Sequence, residues 1–403
     1  MKVTFSPPDI MQEELDSVLA VLNSGWLTTG PKTKLFERLI AQKCGNKMAV
    51  CLNSATAALE LTLRVLGIGA GDEVVTTPYT YTASASVIHH VGARIVFADV
   101  APDSIFIDPA KIEEQITERT KAVIAVDVAG GMPDYDGILD VLKRKRELFV
   151  AQSELQSRLG RVALIADAAH SFGSNFKGVP AGRVADFSCF SFHAVKNLVC
   201  GEGGAVTWRD LGAELDDEIY RQFMLLSLHG QAKDALAKSQ VGGWRYDILF
   251  PGYKCNMPDV LAAIGVSQFN RFDGIAAARR RAVSEYSKRI ASVLGDKVEI
   301  FPHETDCYES VPHLFMLRIN GADENKRDCI IDYMARECDV AANVHYVPLP
   351  MYTAYRNLGF KIVNYPNSFA AYENEISLPL FNNLASQQIE YVVDSLAKAI
   401  CVG

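Results

Sequence analysis

The chain has 403 residues, of which 49% are hydrophobic and 22% charged, and a formal net charge of −8. This length is beyond what one hydrophobic core sustains and predicts two domains, while the composition excludes a disordered or fibrous protein. The acidic balance excludes a nucleic-acid binder that relies on a basic face.

In chain order, the first residues, Met1 to Pro8, hold no apolar segment of the kind a secretory signal needs. No later run approaches the roughly 20 apolar residues of a membrane helix. A cytoplasmic protein without membrane contact is expected. From Lys47 to Trp208, short apolar, β-branched runs alternate with helical patterns, and residues 48–52, 73–77, 94–99, 122–127, 162–167, 187–192 and 205–208 are the predicted strands. Their continuous hydrophobicity implies helices on both faces of a large, mostly parallel sheet, an α/β domain. Lys143, Arg144, Lys145 and Arg146 read as a solvated helix end, with cations near the negative end of the dipole. Past Pro258 a helical pattern runs to about Leu294 and leads into a smaller C-terminal α+β domain, with a strand at 313–319 and helices at 325–337 and 387–400. The predicted division is 1–257 and 258–403. The nine cysteines occur singly, which suggests reduced thiols rather than a zinc site or a disulfide framework, and no metal is expected.

The chemistry concentrates at a few of these junctions. Between the first strand and the helix after it, Asn53, Ser54, Ala55, Thr56 and Ala57 are small or hydroxyl-bearing, and free N–H groups at the positive helix end would receive a phosphate. A plain helix cap is the alternative reading. Asp167, in the string Asp167-Ala168-Ala169-His170, ends a predicted strand, where open α/β sheets present their ligands. Lys196 follows another buried strand among mostly apolar neighbours; desolvation there lowers an amine's pKa and lets it attack a carbonyl. A Schiff-base lysine needs that property, and an acid paired with the pyridine nitrogen of pyridoxal phosphate (PLP) would make the ring an electron sink. Asp167 is the candidate acid. Ser191 would add a hydroxyl to the phosphate site, and Tyr81 would stack on the ring. Taken alone, Tyr81 reads more readily as a core aromatic, while His170 and His193 read either as imidazoles that touch the cofactor or as buried polar groups satisfied elsewhere.

Taken together, the strings Gly25–Pro31, Asn53–Ala57, Asp167–His170, Phe190–Lys196 and Gly252–Met257 resemble the DegT/DnrJ/StrS sugar aminotransferases, in order and spacing, over nearly the whole chain. Within that family the chain looks most like the enzymes that aminate C4 of a UDP-linked 4-keto sugar, the UDP-4-amino-4-deoxy-arabinose type. His229-Gly230, the 251–257 segment, His313-Leu314-Phe315, His345-Tyr346 and 376–381 follow that pattern. The resemblance implies fold type I of the PLP enzymes and a homodimer with active sites at the subunit interface. It implies an amino donor, expected to be glutamate, and a nucleotide-sugar acceptor. Carried over by position, Lys196 is the Schiff-base lysine and Asp167 the pyridine partner. Ala55, Thr56 and Ser191 lie near the phosphate, Tyr81 stacks on the ring, and Asn256 reaches the phosphate from the other subunit. Trp26, Leu27, Thr28, His193, His229, His313 and Phe315 become candidates for contact with the sugar nucleotide. Two departures stand out: Asp127 sits where many relatives have His, and 148–161 is longer than the usual link. Acceptors with a 3-keto group or a keto-inositol stay open, as does a non-catalytic sensor on the same fold. A dehydratase of the same fold resembles the family with His at the lysine position, so Lys196 speaks against it.

Overall fold

The structure is a computed structural model that describes residues 1–233 and 244–402. Two helices, α1 (Gln12–Ser24) and α2 (Pro31–Cys44), precede an alternation of β1 (Ala49–Leu52), α3 (Ala55–Val65), β2 (Glu73–Thr76), α4 (Ala83–His90), β3 (Arg94–Phe97), β4 (Thr120–Val126) and β5 (Ala163–Asp167). The short pair β6 (Asn175–Phe176) and β7 (Val179–Pro180) follows, then β8 (Phe187–Ser191) and β9 (Gly204–Trp208). The seven-stranded sheet has the order β1-β9-β8-β5-β4-β2-β3. Only β9 runs against its neighbours; the pairs β8–β5, β5–β4, β4–β2 and β2–β3 are all parallel. The α/β fold expected from the apolar runs is thus present, with strand ends shifted by one or two residues. All seven residues of β4 are buried, as two helix-covered faces require, and each fully buried aliphatic side chain there contributes about 1.5–3 kcal/mol.

The long helical pattern after Pro258 is two helices, Asp259–Asn270 and Phe272–Val293. The apolar period continues through Arg271, but the packing partner changes. The first helix lies against α1 and α2, and Gly265 lets it approach so closely that a Cβ there would sit 2.7 Å from Cys200 Sγ and from the Phe36 ring. The second carries Ala282, Tyr286 and Ile290 into a separate C-terminal core. Arg271 sits at the break, paired with Asp9 at 2.7 Å and Glu14 at 2.9 Å.

The smaller C-terminal α+β domain is an antiparallel sheet of β10 (Val298–Ile300), β12 (Phe315–Ile319) and β13 (Glu375–Leu378), backed by helices Glu324–Cys338 and Ser386–Val402. The strand β11 (Tyr308–Glu309) leaves it to pair with β6 of the large domain. In the other direction, Val3 pairs with Val340 and buries its side chain in the C-terminal core. The long 148–161 link stitches the sheet's outer face. Ser153 and Gln156 both donate to Leu66 O, at 2.9 and 2.8 Å, Lys121 donates to Val150 O at 2.8 Å, and Arg161 forms a bidentate pair with buried Asp186. Among the described residues, no helix is long and apolar enough to cross a membrane.

Candidate active site

The carboxyl ends of β4, β5 and β8 open on one edge of the sheet. Asp167, the last residue of β5, accepts hydrogen bonds from Ser84 Oγ of α4 at 2.6 Å and from the Ala169 N–H at 3.3 Å. Thr80 Oγ1 lies 2.8 Å from Ser84 Oγ and, since that hydroxyl gives its proton to Asp167, Thr80 is the donor to it. Burial pushes the Asp167 carboxyl up, opposed by these donors and by the Lys196 charge. Asp127 follows β4 and gives its backbone N–H to Asp167 O at 3.0 Å. Its carboxylate accepts from Tyr135 Oη at 2.7 Å and from Ser171 Oγ, and burial, helped by the charge of Asp167, raises it to about 7.

Lys196 stands in the turn after β8, its N–H bonded to His193 O at 2.9 Å. Desolvation lowers its amine to about 8, against the pull of Asp167. Nζ lies 3.5 Å from His313 Nε2, and the His313 ring packs on His170 with centroids 4.2 Å apart. His170 Nδ1 accepts the Ala129 N–H at 3.3 Å, so its proton is on Nε2, which faces Tyr346 Oη at 3.0 Å. Burial, reinforced by the Lys196 charge, holds His170 and His313 well below the usual histidine range. A third imidazole, His345, is likewise depressed to about 3 by burial and by Lys196. The amine is therefore flanked by neutral rings on one side and a carboxylate on the other.

The residues fit PLP. Ser54 caps α3 through the Ala57 N–H at 3.1 Å, while the N–H groups of Ala55 and Thr56 make no hydrogen bond among the described residues and point the positive helix end outward. Gly204 packs against this turn so tightly that a Cβ would come within 2.3 Å of Ser54 C and 2.4 Å of Ala55 N. Ser191 ends β8, half-buried, with His193 half-buried two residues on. Asp167, holding two donors, has capacity for a third, which a protonated ring nitrogen would supply.

The remaining candidates spread more widely. Tyr81 is 62% exposed, its ring 6.4 Å from Tyr346. Trp26, Leu27 and Thr28 form the loop before α2, which joins Asn256 through Thr29. Asn256 pairs with Leu52 at the end of β1 in its own chain, gives its amide to Thr29 Oγ1 at 2.6 Å and accepts from Lys254. His229 is exposed, bonded through its N–H to Tyr253 O at 2.7 Å, and shares no hydrogen bond or ring contact with the group around Lys196. Phe315 is not at the surface of the site: it is fully buried in the C-terminal core, stacked on Tyr286 at 4.6 Å. His313 and Phe315 are close in sequence, but the strand starts only at Phe315, so His313 belongs to the preceding loop and turns toward Lys196.

Three contributors, Ser84, His345 and Tyr346, had no role assigned from the sequence. Ser84, inside α4, carries no pattern that marks it as a partner of Asp167. His345-Tyr346 was visible as a family string, but without a role until the fold set it beside His170 and Lys196.

A sequence model of the DegT/DnrJ/EryC1/StrS aminotransferase family matches residues 8–397. The spore coat polysaccharide biosynthesis protein SpsC of Bacillus subtilis (strain 168) is 37% identical over 398 residues, covering 97% of this chain and 95% of its own. Among solved structures, the putative sugar aminotransferase Spr1654 from Streptococcus pneumoniae, in its PMP form, superposes with a TM-score of 0.95 at 45% identity, over 100% of both chains. Its PLP form gives the same TM-score, 0.95, at 44% identity, covering 100% of this chain and 99% of that one. PseC of Helicobacter pylori, an aminotransferase involved in the biosynthesis of pseudoaminic acid, superposes at 0.84 with 26% identity, again over 100% of both chains.

Proposed function

Because the chain belongs to the DegT/DnrJ/EryC1/StrS aminotransferase family, a family of PLP-dependent enzymes, we propose that it moves an amino group from glutamate to the C4 keto group of a UDP-linked sugar in the cytoplasm. The observation that carries this reading is the Lys196 amine, desolvated to about 8 and set between Asp167 and three neutral imidazoles. PLP, when bound, supplies an aldehyde for amines and a ring that takes up the electron pair left when a substrate carbon loses its proton.

The chain's own residues do the rest. Lys196 Nζ, neutral in an appreciable fraction near physiological pH, is the nucleophile that holds the cofactor. Displaced by the amino donor, the same amine takes the proton from the donor's α-carbon, and in the second half-reaction it delivers a proton to the sugar carbon. Asp167, fixed by Ser84 and the Ala169 N–H, would pair with the protonated ring nitrogen. Ser54, Ala55, Thr56 and Ser191 would hold the phosphate, and Tyr81 and His170 would contact the ring. Trp26, Leu27, Thr28, His193 and His229 contribute to sugar-nucleotide contact. In this reading 1–257 form the cofactor-binding domain, 258–403 close over it, and two chains share their sites. Asn256 gives one amide N–H to Thr29 and has a second that would donate to a phosphate in the partner's site.

The test is to supply a UDP-linked 4-keto pentose and glutamate and to follow the amino-sugar product by mass spectrometry. Formation of the 4-amino product supports the assignment. Activity confined to a 3-keto sugar or a keto-inositol would move the acceptor, and no transamination of any keto-sugar would overturn it.

A further inference from the structure

Beside Lys196 lies a hydrogen-bond chain that the roles above do not use. His345 Nδ1 is 2.9 Å from Ser377 Oγ, Ser377 Oγ donates to Glu375 Oε1 at 2.6 Å, and Glu375 Oε2 accepts the His345 backbone N–H at 2.8 Å. Tyr79 Oη fixes the same residue from the large domain by donating to His345 O at 2.6 Å. The imidazole is clamped between rings: Phe5 stacks on it, with centroids 5.6 Å apart and planes 20° apart, and Tyr346 meets it edge-on at 5.1 Å. Phe5 is itself held in the N-terminal strap, whose next residue, Ser6, donates to Val195 O at 3.3 Å, one residue from Lys196. These contacts fix the ring, while Nε2 makes no hydrogen bond among the described residues.

We propose that His345 is a binding residue for the acceptor sugar, its ring held by Phe5, Ser377 and Glu375 so that Nε2 accepts a hydrogen bond from a sugar hydroxyl beside Lys196. This deepens the aminotransferase reading and rests on it. The direction of the bond depends on Glu375, whose carboxyl burial raises to about 8: once ionised it takes the Ser377 proton, Ser377 Oγ then accepts from Nδ1–H, and Nε2 is left with its lone pair. An aromatic clamp around a neutral acceptor suits a polyhydroxylated ring, whose C–H face meets Phe5 and Tyr346 while a hydroxyl meets nitrogen. A carboxylate donor such as glutamate gains nothing from a lone pair, so the effect belongs to the acceptor half-reaction.

Two readouts test this on the full-length protein. In cofactor-free protein labelled with 15N-histidine, at pH 9, where the Glu375 carboxyl is ionised, His345 is expected as the neutral Nδ1–H form, identified by its loss in His345→Gln. Ser377→Ala is expected to abolish that preference. A protonated Nε2 in the wild type overturns the proposal whatever the substrate. In the loaded enzyme, His345→Leu is expected to raise KM for a UDP-linked 4-keto pentose by about five- to tenfold, the size of one lost hydrogen bond. Any change in the glutamate half-reaction is expected to be at least fivefold smaller, and His345→Gln to restore most of the loss. If His345→Leu does not fold, Ser377→Ala serves, with a KM rise of about threefold. Equal losses in both half-reactions reduce His345 to a structural residue and overturn the proposal. A wild type that glutamate does not convert at all instead sinks the aminotransferase reading, and the tautomer measurement still decides this one.

Discussion

Two walls of different chemistry face each other across Lys196. The large-domain wall is acidic: Asp167 ends β5, steadied by the Ser84 hydroxyl, and is backed on the adjacent strand end by Asp127, which gives its N–H to Asp167 O and is itself held by Tyr135 and Ser171. The C-terminal wall is uncharged: His313, His345 and Tyr346 come from loops of the second sheet, with neutral His170 packed among them. A carboxylate near the amine favours its protonated form, whereas desolvated neutral rings favour the free base. The fall of the amine to about 8 shows that desolvation wins. The acidic wall is thus suited to holding positive charge on a bound ring, and the neutral wall to keeping the lysine reactive.

Breaking each part of this arrangement has an ordered set of consequences. Removing the group between the walls, Lys196→Ala, is expected to cut turnover at least a thousandfold in a steady-state assay, with an unchanged circular dichroism spectrum. Removing the charge of the acidic wall, Asp167→Asn, is expected to lower kcat about a hundredfold or more while the melting temperature stays within a few degrees. A change in neither wall separates stability from chemistry: Arg161→Ala removes the bidentate partner of buried Asp186 but leaves it Arg209 at 2.9 Å and the Leu164 N–H, and is expected to cost about 1–2 kcal/mol in denaturant unfolding, with kcat near wild type. The smallest effect sharpens the contrast by pH. Asp127, raised to about 7, binds its proton in the folded state at pH values where the unfolded chain has lost it. Its contribution to stability is full below about pH 4 and is lost as pH rises to 7. Asp127→Asn lacks that dependence, so its melting temperature is expected to gain a few degrees on the wild type between pH 5 and pH 7; a gap that closes over that range contradicts the assignment.

The acidic wall was legible in the sequence because strand, strand end and functional residue are contiguous: a buried apolar run ending in Asp167 marks both a fold position and a chemical one. The seven strands were found for the same reason, since a sheet covered on both faces leaves continuous hydrophobic runs. The break at Arg271 was not legible, because the apolar period runs through it and its cause, Asp9 and Glu14, lies near the other end of the chain. Ser84 reads as an ordinary helix residue until α4 packs it on Asp167. The neutral wall was half legible. His313 and His345 belonged to family strings, but the sequence did not show that one turns toward Lys196 while Phe315, two residues away, enters the core.

Whether Lys196 carries the cofactor and the walls around it run an amino transfer is read from the absorbance spectrum of purified protein reconstituted with PLP, before and after glutamate. A long-wavelength band from lysine-bound cofactor is expected, shifting to the shorter wavelength of the amine form on addition of glutamate, and absent in Lys196→Ala. No such band in the wild type after reconstitution, or the same band and shift in Lys196→Ala, would contradict that role for Lys196.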